Sequence, residues 1–129
     1  MVREPVPVEL SQTTERIIGA AMAVHRELGP GFLESIYSKA LRIELDARGL
    51  PFEAEKPIEV VYRGVSIRGQ RIDLIVGGQV VVEVKAVAAI EPIHVAQVVS
   101  YLRTTGLRIA LLINFHERLL KDGIRRVVL

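Results

Sequence analysis

The sequence predicts an α/β fold: a mixed sheet of about four to five strands flanked by helices, in the order ααβββαβ. Three observations predict it. Two helix-patterned stretches precede Gly49, three β-patterned runs follow it, and a second helix-then-strand passage begins at Pro92. That passage ends in Leu107-Arg108-Ile109-Ala110-Leu111-Leu112-Ile113, an apolar run between Gly106 and Asn114 that reads as a buried strand. No internal repeat or low-complexity stretch interrupts the order.

Each element has its local reason. Residues 1–12, with Pro5 and Pro7, read as an extended lead-in. A first helix is expected from residue 13 or 14 to residue 28. Ile17, Ala21, Val24 and Leu28 form its apolar stripe, Ser11, Thr13 and Thr14 are candidate caps, and Gly29-Pro30-Gly31 stops it. His25 and Arg26 sit near its end, where the helix dipole favours positive charge. A second helix is expected over residues 32–48, ended by Gly49. Glu34 lies in its first turn, where a carboxylate answers unpaired N–H groups. Ile58-Glu59-Val60-Val61-Tyr62 reads as a strand, Arg63-Gly64 as a turn and Val65-Ser66-Ile67 as a short return, with Arg68-Gly69-Gln70 leading into the next strand. Pro92 suits the first turn of a helix that reaches about Thr104, with Val95, Val98, Val99 and Leu102 buried. Arg125 to Leu129 forms a last short strand.

The most informative stretch is the pair Arg71-Ile72-Asp73-Leu74-Ile75-Val76 and Val80-Val81-Val82-Glu83-Val84-Lys85. Alternation places Val80, Val82 and Val84 on one face, and Val81, Glu83 and Lys85 on the other. In the preceding strand it separates Ile72, Leu74 and Val76 from Arg71, Asp73 and Ile75. Gly77-Gly78-Gln79 between them is a hairpin signal. A two-residue loop would set Ile72 opposite Glu83. A shift of one residue pairs Val76 with Val80, Leu74 with Val82 and Ile72 with Val84, so the apolar pattern selects the shifted register. That register also sets Asp73 opposite Glu83, close enough for both carboxylates to hold one cation. Hard cations such as Mg²⁺ bind one or two carboxylates and keep waters for a phosphate-bearing substrate. A lysine beside them can orient or help deprotonate an attacking water. The alternative is an acid–lysine pair at a sheet edge with no chemistry.

Composition narrows the classes. A chain of 129 residues makes one domain with its own core. No apolar run approaches the ~20 residues of a membrane span, which excludes a membrane partner. Half the residues are apolar and mean hydropathy is +0.32, so self-association as a homodimer or higher homo-oligomer is expected. The absence of cysteine excludes disulfides and thiolate metal sites. The N-terminus lacks a signal-peptide pattern, so the cytoplasm is the expected location. Net charge is only +2, but residues 1–60 carry seven basic and ten acidic groups (−3), and residues 61–129 carry ten and five (+5). Arg68 and Arg71, close to Asp73, are therefore candidate contacts to a polyanion.

Asp73 followed by Glu83-Val84-Lys85 resembles the D…(D/E)-x-K signature of the PD-(D/E)XK nuclease superfamily. Gly31-Phe32-Leu33-Glu34-Ser35-Ile36-Tyr37 resembles the motif naming its GxxExxY family. The likeness continues through His25-Arg26-Glu27-Leu28-Gly29-Pro30, Lys85-Ala86-Val87, His94-Val95-Ala96-Gln97 and Leu111-Leu112-Ile113-Asn114-Phe115, covering about residues 13 to 128. Ile72 stands where the superfamily name has Pro, which is not a ligand.

The resemblance implies a restriction-endonuclease-like core and a Mg²⁺- or Mn²⁺-dependent nuclease acting on nucleic acid, with DNA ahead of RNA. It implies Asp73 and Glu83 as metal ligands beside the Val84 carbonyl, Glu34 as a third carboxylate, Lys85 as the catalytic lysine, and Gln97 as its support. Tyr37, on the face of Glu34, is placed with the substrate-contacting residues or as packing support. Two other readings share this fold: a non-catalytic nucleic-acid-binding module, and an oligomeric interaction protein. They differ from a nuclease in leaving every nucleic acid uncut.

Overall fold

The computed structural model describes residues 5–129; the first four residues of the expected lead-in lie outside that range. Among the described residues, three α-helices and five strands follow in the order α1 (Val8–Leu28), α2 (Glu34–Ala47), β1 (Phe52–Tyr62), β2 (Val65–Val76), β3 (Val80–Lys85), α3 (Pro92–Thr105), β4 (Ile109–Asn114) and β5 (Ile124–Val128). A 3₁₀ turn, Leu120–Gly123, precedes β5.

The strands lie side by side in sequence order. β1, β2 and β3 form an antiparallel meander, β3 and β4 run parallel, and β4 and β5 are antiparallel. Helix α3 makes the crossover that a parallel pair requires. The sheet is therefore mixed, with β3 and β4 central.

Two apolar clusters lie on opposite sides of these central strands. Val80, Val82 and Val84 pack with Ile17, Ala21, Leu41 and Leu45 of α1 and α2. Val81 joins Val98, Tyr101 and Leu102 of α3. Alternation along β3 thus feeds both layers, and full burial of each such side chain stabilises by roughly 1.5–3 kcal/mol. Glu83 and Lys85 share parity with Val81, so the charged positions of β3 fall on the α3 side.

Several boundaries differ from the sequence expectation. Helix α1 starts at Val8, directly after Pro7, so residues 8–12 are helical rather than extended. Thr13 and Thr14 do not cap it. Their hydroxyls donate back to the carbonyls of Glu9 and of Leu10 and Ser11, inside the helix. β1 starts at Phe52, because Glu53 and Lys56 keep their charges outward at the sheet edge. β2 is one continuous strand. Arg68-Gly69-Gln70 does not interrupt it, because the register steps there: Ile58 pairs with Gln70 and Val60 with Ile67, leaving Glu59 opposite two residues. Gly69, at φ 126°, absorbs the bulge.

Ile72 is the correction that bears on the site. Parity assigns it to the face of Leu74 and Val76, yet it packs with Ile58, Tyr101 and Leu112 on the α3 side. The alternation breaks at Asp73. The facing residue of β1, Glu55, has φ 51°, and the Glu55–Asp73 position drops out of the ladder between Ala54–Leu74 and Lys56–Ile72. The β1–β2 ribbon is thereby turned, and its far end projects past α3 with Val61, Tyr62 and Val65 exposed.

Candidate active site

The hairpin register is the one the apolar pattern selects. Leu74 pairs with Val82, Ile75 with Val81 and Val76 with Val80. Gly77 and Gly78, at φ 61° and 68°, form the left-handed part of a three-residue loop closed by Gln79 N–H donating to the Val76 carbonyl.

Beyond Leu74 and Val82 the backbone ladder ends, and the expected Ile72–Val84 pair does not form. The two acids take over. Asp73 N–H donates to Glu83 Oε1 (3.1 Å), and Val84 N–H donates to Asp73 Oδ2 (2.9 Å). Each carboxylate thus satisfies a backbone donor of the other strand, which fixes both side chains without a rotamer search. Glu83 is 3 % exposed and Asp73 is half-buried. Burial, and then the charge of Asp73, push the Glu83 carboxyl up from 4.5 to about 8, against the lowering influence of the Asp73 backbone hydrogen bond and Lys85.

Lys85 lies two residues on, half-buried, and its Nζ donates to Gln97 Oε1 of α3 (3.1 Å). The strand-borne lysine and the helix-borne amide therefore meet as the resemblance implies. Gln97 has no charge to offer a metal, but it anchors the ammonium group whose charge acts on Glu83.

Two supports stand behind the pair: Tyr101, which the i, i+3, i+7 spacing of His94, Gln97 and Tyr101 makes a candidate, and Asn114, which the sequence does not nominate. Asn114, fully buried at the end of β4, accepts from the N–H groups of Val87 and His116 and donates to the Val87 carbonyl. With Phe115 N–H on the Lys85 carbonyl, it pins the segment leaving Lys85. A polar residue closing an apolar run was the available signal, and it reads equally well as a strand end. Tyr101 accepts from Gln70 Nε2 (2.6 Å) and donates to the Arg71 carbonyl (3.3 Å), two residues before Asp73. Burial raises its hydroxyl above the usual tyrosine value, with the Glu83 and Asp73 charges acting the same way.

The residues nominated outside this cluster fall differently. Glu34 is the first residue of α2, exposed, and no side chain caps that helix. It stands in the first turn as expected, facing the positive helix end, without a capping hydrogen bond at the N-cap. Among the described residues no group of three or more His, Cys, Asp or Glu side chains comes together, so Asp73 and Glu83 stand as a pair without Glu34. Tyr37 is fully buried, stacked on Phe115 at 4.7 Å, and its hydroxyl donates to the Gly29 carbonyl and accepts from Phe32 N–H. It is a packing and hydrogen-bonding support for the Gly29-to-Phe32 turn and offers no surface to a substrate, which corrects its nomination as a contact. Arg68 and Arg71 are exposed on the β1–β2 ribbon.

The donor set fits a hard divalent cation. Of two adjoining carboxyl groups, Glu83 keeps its proton chiefly through burial and then through the charge of Asp73, and a cation between them would offset both costs of ionising it. Asp73 and Glu83 would be its ligands.

An α/β core of this order, carrying an acid pair and a lysine on neighbouring strands, defines a nuclease-like domain. A family model described as PD-(D/E)XK nuclease superfamily matches residues 11–127, and the chain belongs to that superfamily. Searches of curated proteins and of solved structures returned no match. No described helix is long and apolar enough to cross a membrane.

Proposed function

We propose that this domain hydrolyses phosphodiester bonds of nucleic acid with Mg²⁺ or Mn²⁺ held by Asp73 and Glu83. The observation that carries the reading is the acid pair with Lys85 beside it, tethered to Gln97. The bound cation would polarise the phosphate and make a coordinated water more acidic. Lys85 orients the attacking water and stabilises the negative charge that builds on the phosphate oxygens. The attacking water gives a proton to solvent as its oxygen bonds to phosphorus, the bridging P–O bond breaks, and the leaving oxygen takes a proton from solvent. Gln97 keeps Lys85 in place, and Arg68 and Arg71, exposed on the β1–β2 ribbon, meet flanking phosphates. DNA is the preferred substrate over RNA, and Gly31, Glu34 and Tyr37 support placement in the GxxExxY family.

The test is cleavage of single- and double-stranded DNA and RNA with Mg²⁺ or Mn²⁺, beside Asp73→Asn and Lys85→Ala. Cleavage by the wild type, abolished in both variants with binding retained, is the expected result. A second reading, a nucleic-acid-binding module without cleavage, is favoured by the absence of a third acid at the pair among the described residues. Salt-sensitive binding with no cutting on any substrate would establish it.

The protein also self-associates in this reading, in the cytoplasm. Leu33 and Ile43, 74 % and 71 % exposed, lie on the α2 surface with Ile36. Light scattering showing a monomer at micromolar concentration would contradict self-association.

A further inference from the structure

Between the β1–β2 ribbon and α3 runs a groove of about 580 Å³ that ends at the proposed catalytic lysine. Ile58 and Val60 of the ribbon and Ile93 and Ala96 of α3 give it apolar walls, and Lys85 and Gln97 also line it. Among its described lining residues, Lys85 is the one cation and there is no carboxylate. Ile93 is 69 % exposed and Val60 is 42 % exposed, so among the described residues this apolar surface is left uncovered.

We propose that this groove holds one unpaired nucleobase next to the phosphate at Lys85, so that the strand is single-stranded where it is cut. The inference rests on the nuclease reading and deepens it. Phosphates are tracked by repeated cations along a surface; Arg68 and Arg71 lie outside the groove lining, and inside it Lys85 stands alone, so the groove itself suits a base and not a run of phosphates. Apolar walls with a few polar groups suit the faces and edges of an unstacked base. The volume lies within the ~300–1,000 Å³ of small-ligand sites, enough for a nucleotide.

The polar groups are oriented by the fold. Gln70 gives its amide N–H to Tyr101, which leaves its carbonyl oxygen as the acceptor in the groove wall. Glu91 N–H donates to His94 Nδ1, so in the neutral ring the proton is on Nε2, a donor. One fixed donor and one fixed acceptor, from opposite walls, are the pair a base edge requires.

The experiment is fluorescence anisotropy with Ca²⁺ in place of Mg²⁺, comparing a short oligothymidylate with a blunt duplex. Wild type is set beside Ala96→Trp, which fills the groove from an exposed helix position, and Ile93→Asp. The oligothymidylate should bind at least about tenfold more tightly than the duplex, a difference of about 1.4 kcal/mol. Both variants should lose that advantage, with Mn²⁺ affinity and melting temperature unchanged. Equal or tighter duplex binding, or single-strand binding unaltered in both variants, overturns the proposal. Duplex cleavage intact in Ala96→Trp would also overturn it while leaving the nuclease reading standing. Single-strand binding lost in Ala96→Trp, without cleavage by the wild type, would support the groove and sink the nuclease instead.

Discussion

Glu83→Gln tests the acid pair through stability alone, before any activity is known. Without metal, the Glu83 carboxyl holds its proton up to about pH 8, whereas in the unfolded chain it titrates near 4.5. The folded state therefore binds the proton more tightly. Stability contributed by this group is fully present below pH 4.5 and is lost as pH rises through 8. A rise from 4.5 to about 8 corresponds to at most about 5 kcal/mol. Relaxation and water entry around the ionised carboxylate make that figure an upper bound. Glutamine keeps an oxygen for Asp73 N–H and offers an amide N–H where the protonated acid has its hydroxyl, so it mimics the neutral form at every pH. Urea unfolding in EDTA from pH 5 to pH 9 should show wild type losing about 2–5 kcal/mol relative to Glu83→Gln. Parallel pH profiles would show that Glu83 is not neutral in the metal-free fold, and the geometry described for the pair would be wrong.

Three further outcomes follow from the same contacts. Mn²⁺ must displace the Glu83 proton, so affinity should tighten with pH up to about 8, by at most about tenfold per pH unit, with close to one proton released in calorimetry; a flat profile would place the metal elsewhere. Asn114→Ala strands the Val87 and His116 N–H groups and the Val87 carbonyl and should cost about 3 kcal/mol by urea unfolding, a value near zero counting against the pinning role. Gln97→Ala releases Lys85 and should lower kcat by about tenfold to a hundredfold with little change in KM, whereas a rise in KM alone would assign Gln97 to substrate binding.

Much of this was legible in the residues, and the exceptions have a common cause. Apolar parity with a Gly-Gly-Gln loop was enough to select the Leu74–Val82 register, because the one-residue slip to a two-residue loop would set Glu83 opposite an apolar residue of the other face. Pro92 and Gly106 bracketed α3, and Lys85 and Gln97 could be nominated together. Ile72 could not be placed, since parity holds only while the ladder is regular. Glu55, with its positive φ, carries no sequence mark of that kind, and neither glutamate nor aspartate announces that it will replace a backbone partner. The continuous β2 was missed for the same reason: Gly69 reads as a turn, but a glycine at a bulge lets a strand continue.

The strand irregularity and the acid pair are one feature. If the ladder had continued past Leu74 and Val82, backbone partners would have satisfied Asp73 and Val84 N–H, and neither carboxylate would be held. Because the ladder stops, one oxygen of each acid is fixed by the opposite strand, Oε1 by Asp73 N–H and Oδ2 by Val84 N–H. Neither backbone bond has to break for a cation to enter, since it would replace the proton of the side-chain hydrogen bond between the two acids. Metal binding therefore asks for the loss of a proton, not for refolding of the hairpin. It also separates two kinds of substitution. Asp73→Asn retains an acceptor for Val84 N–H and loses the charge, so it should fold and fail to bind Mn²⁺. Asp73→Ala removes both, leaving a backbone donor at the sheet unpaired at a cost of about 1–3 kcal/mol. Equal stability of the two variants would mean that Asp73 holds no strand, and the link between the broken ladder and the site would fail with it.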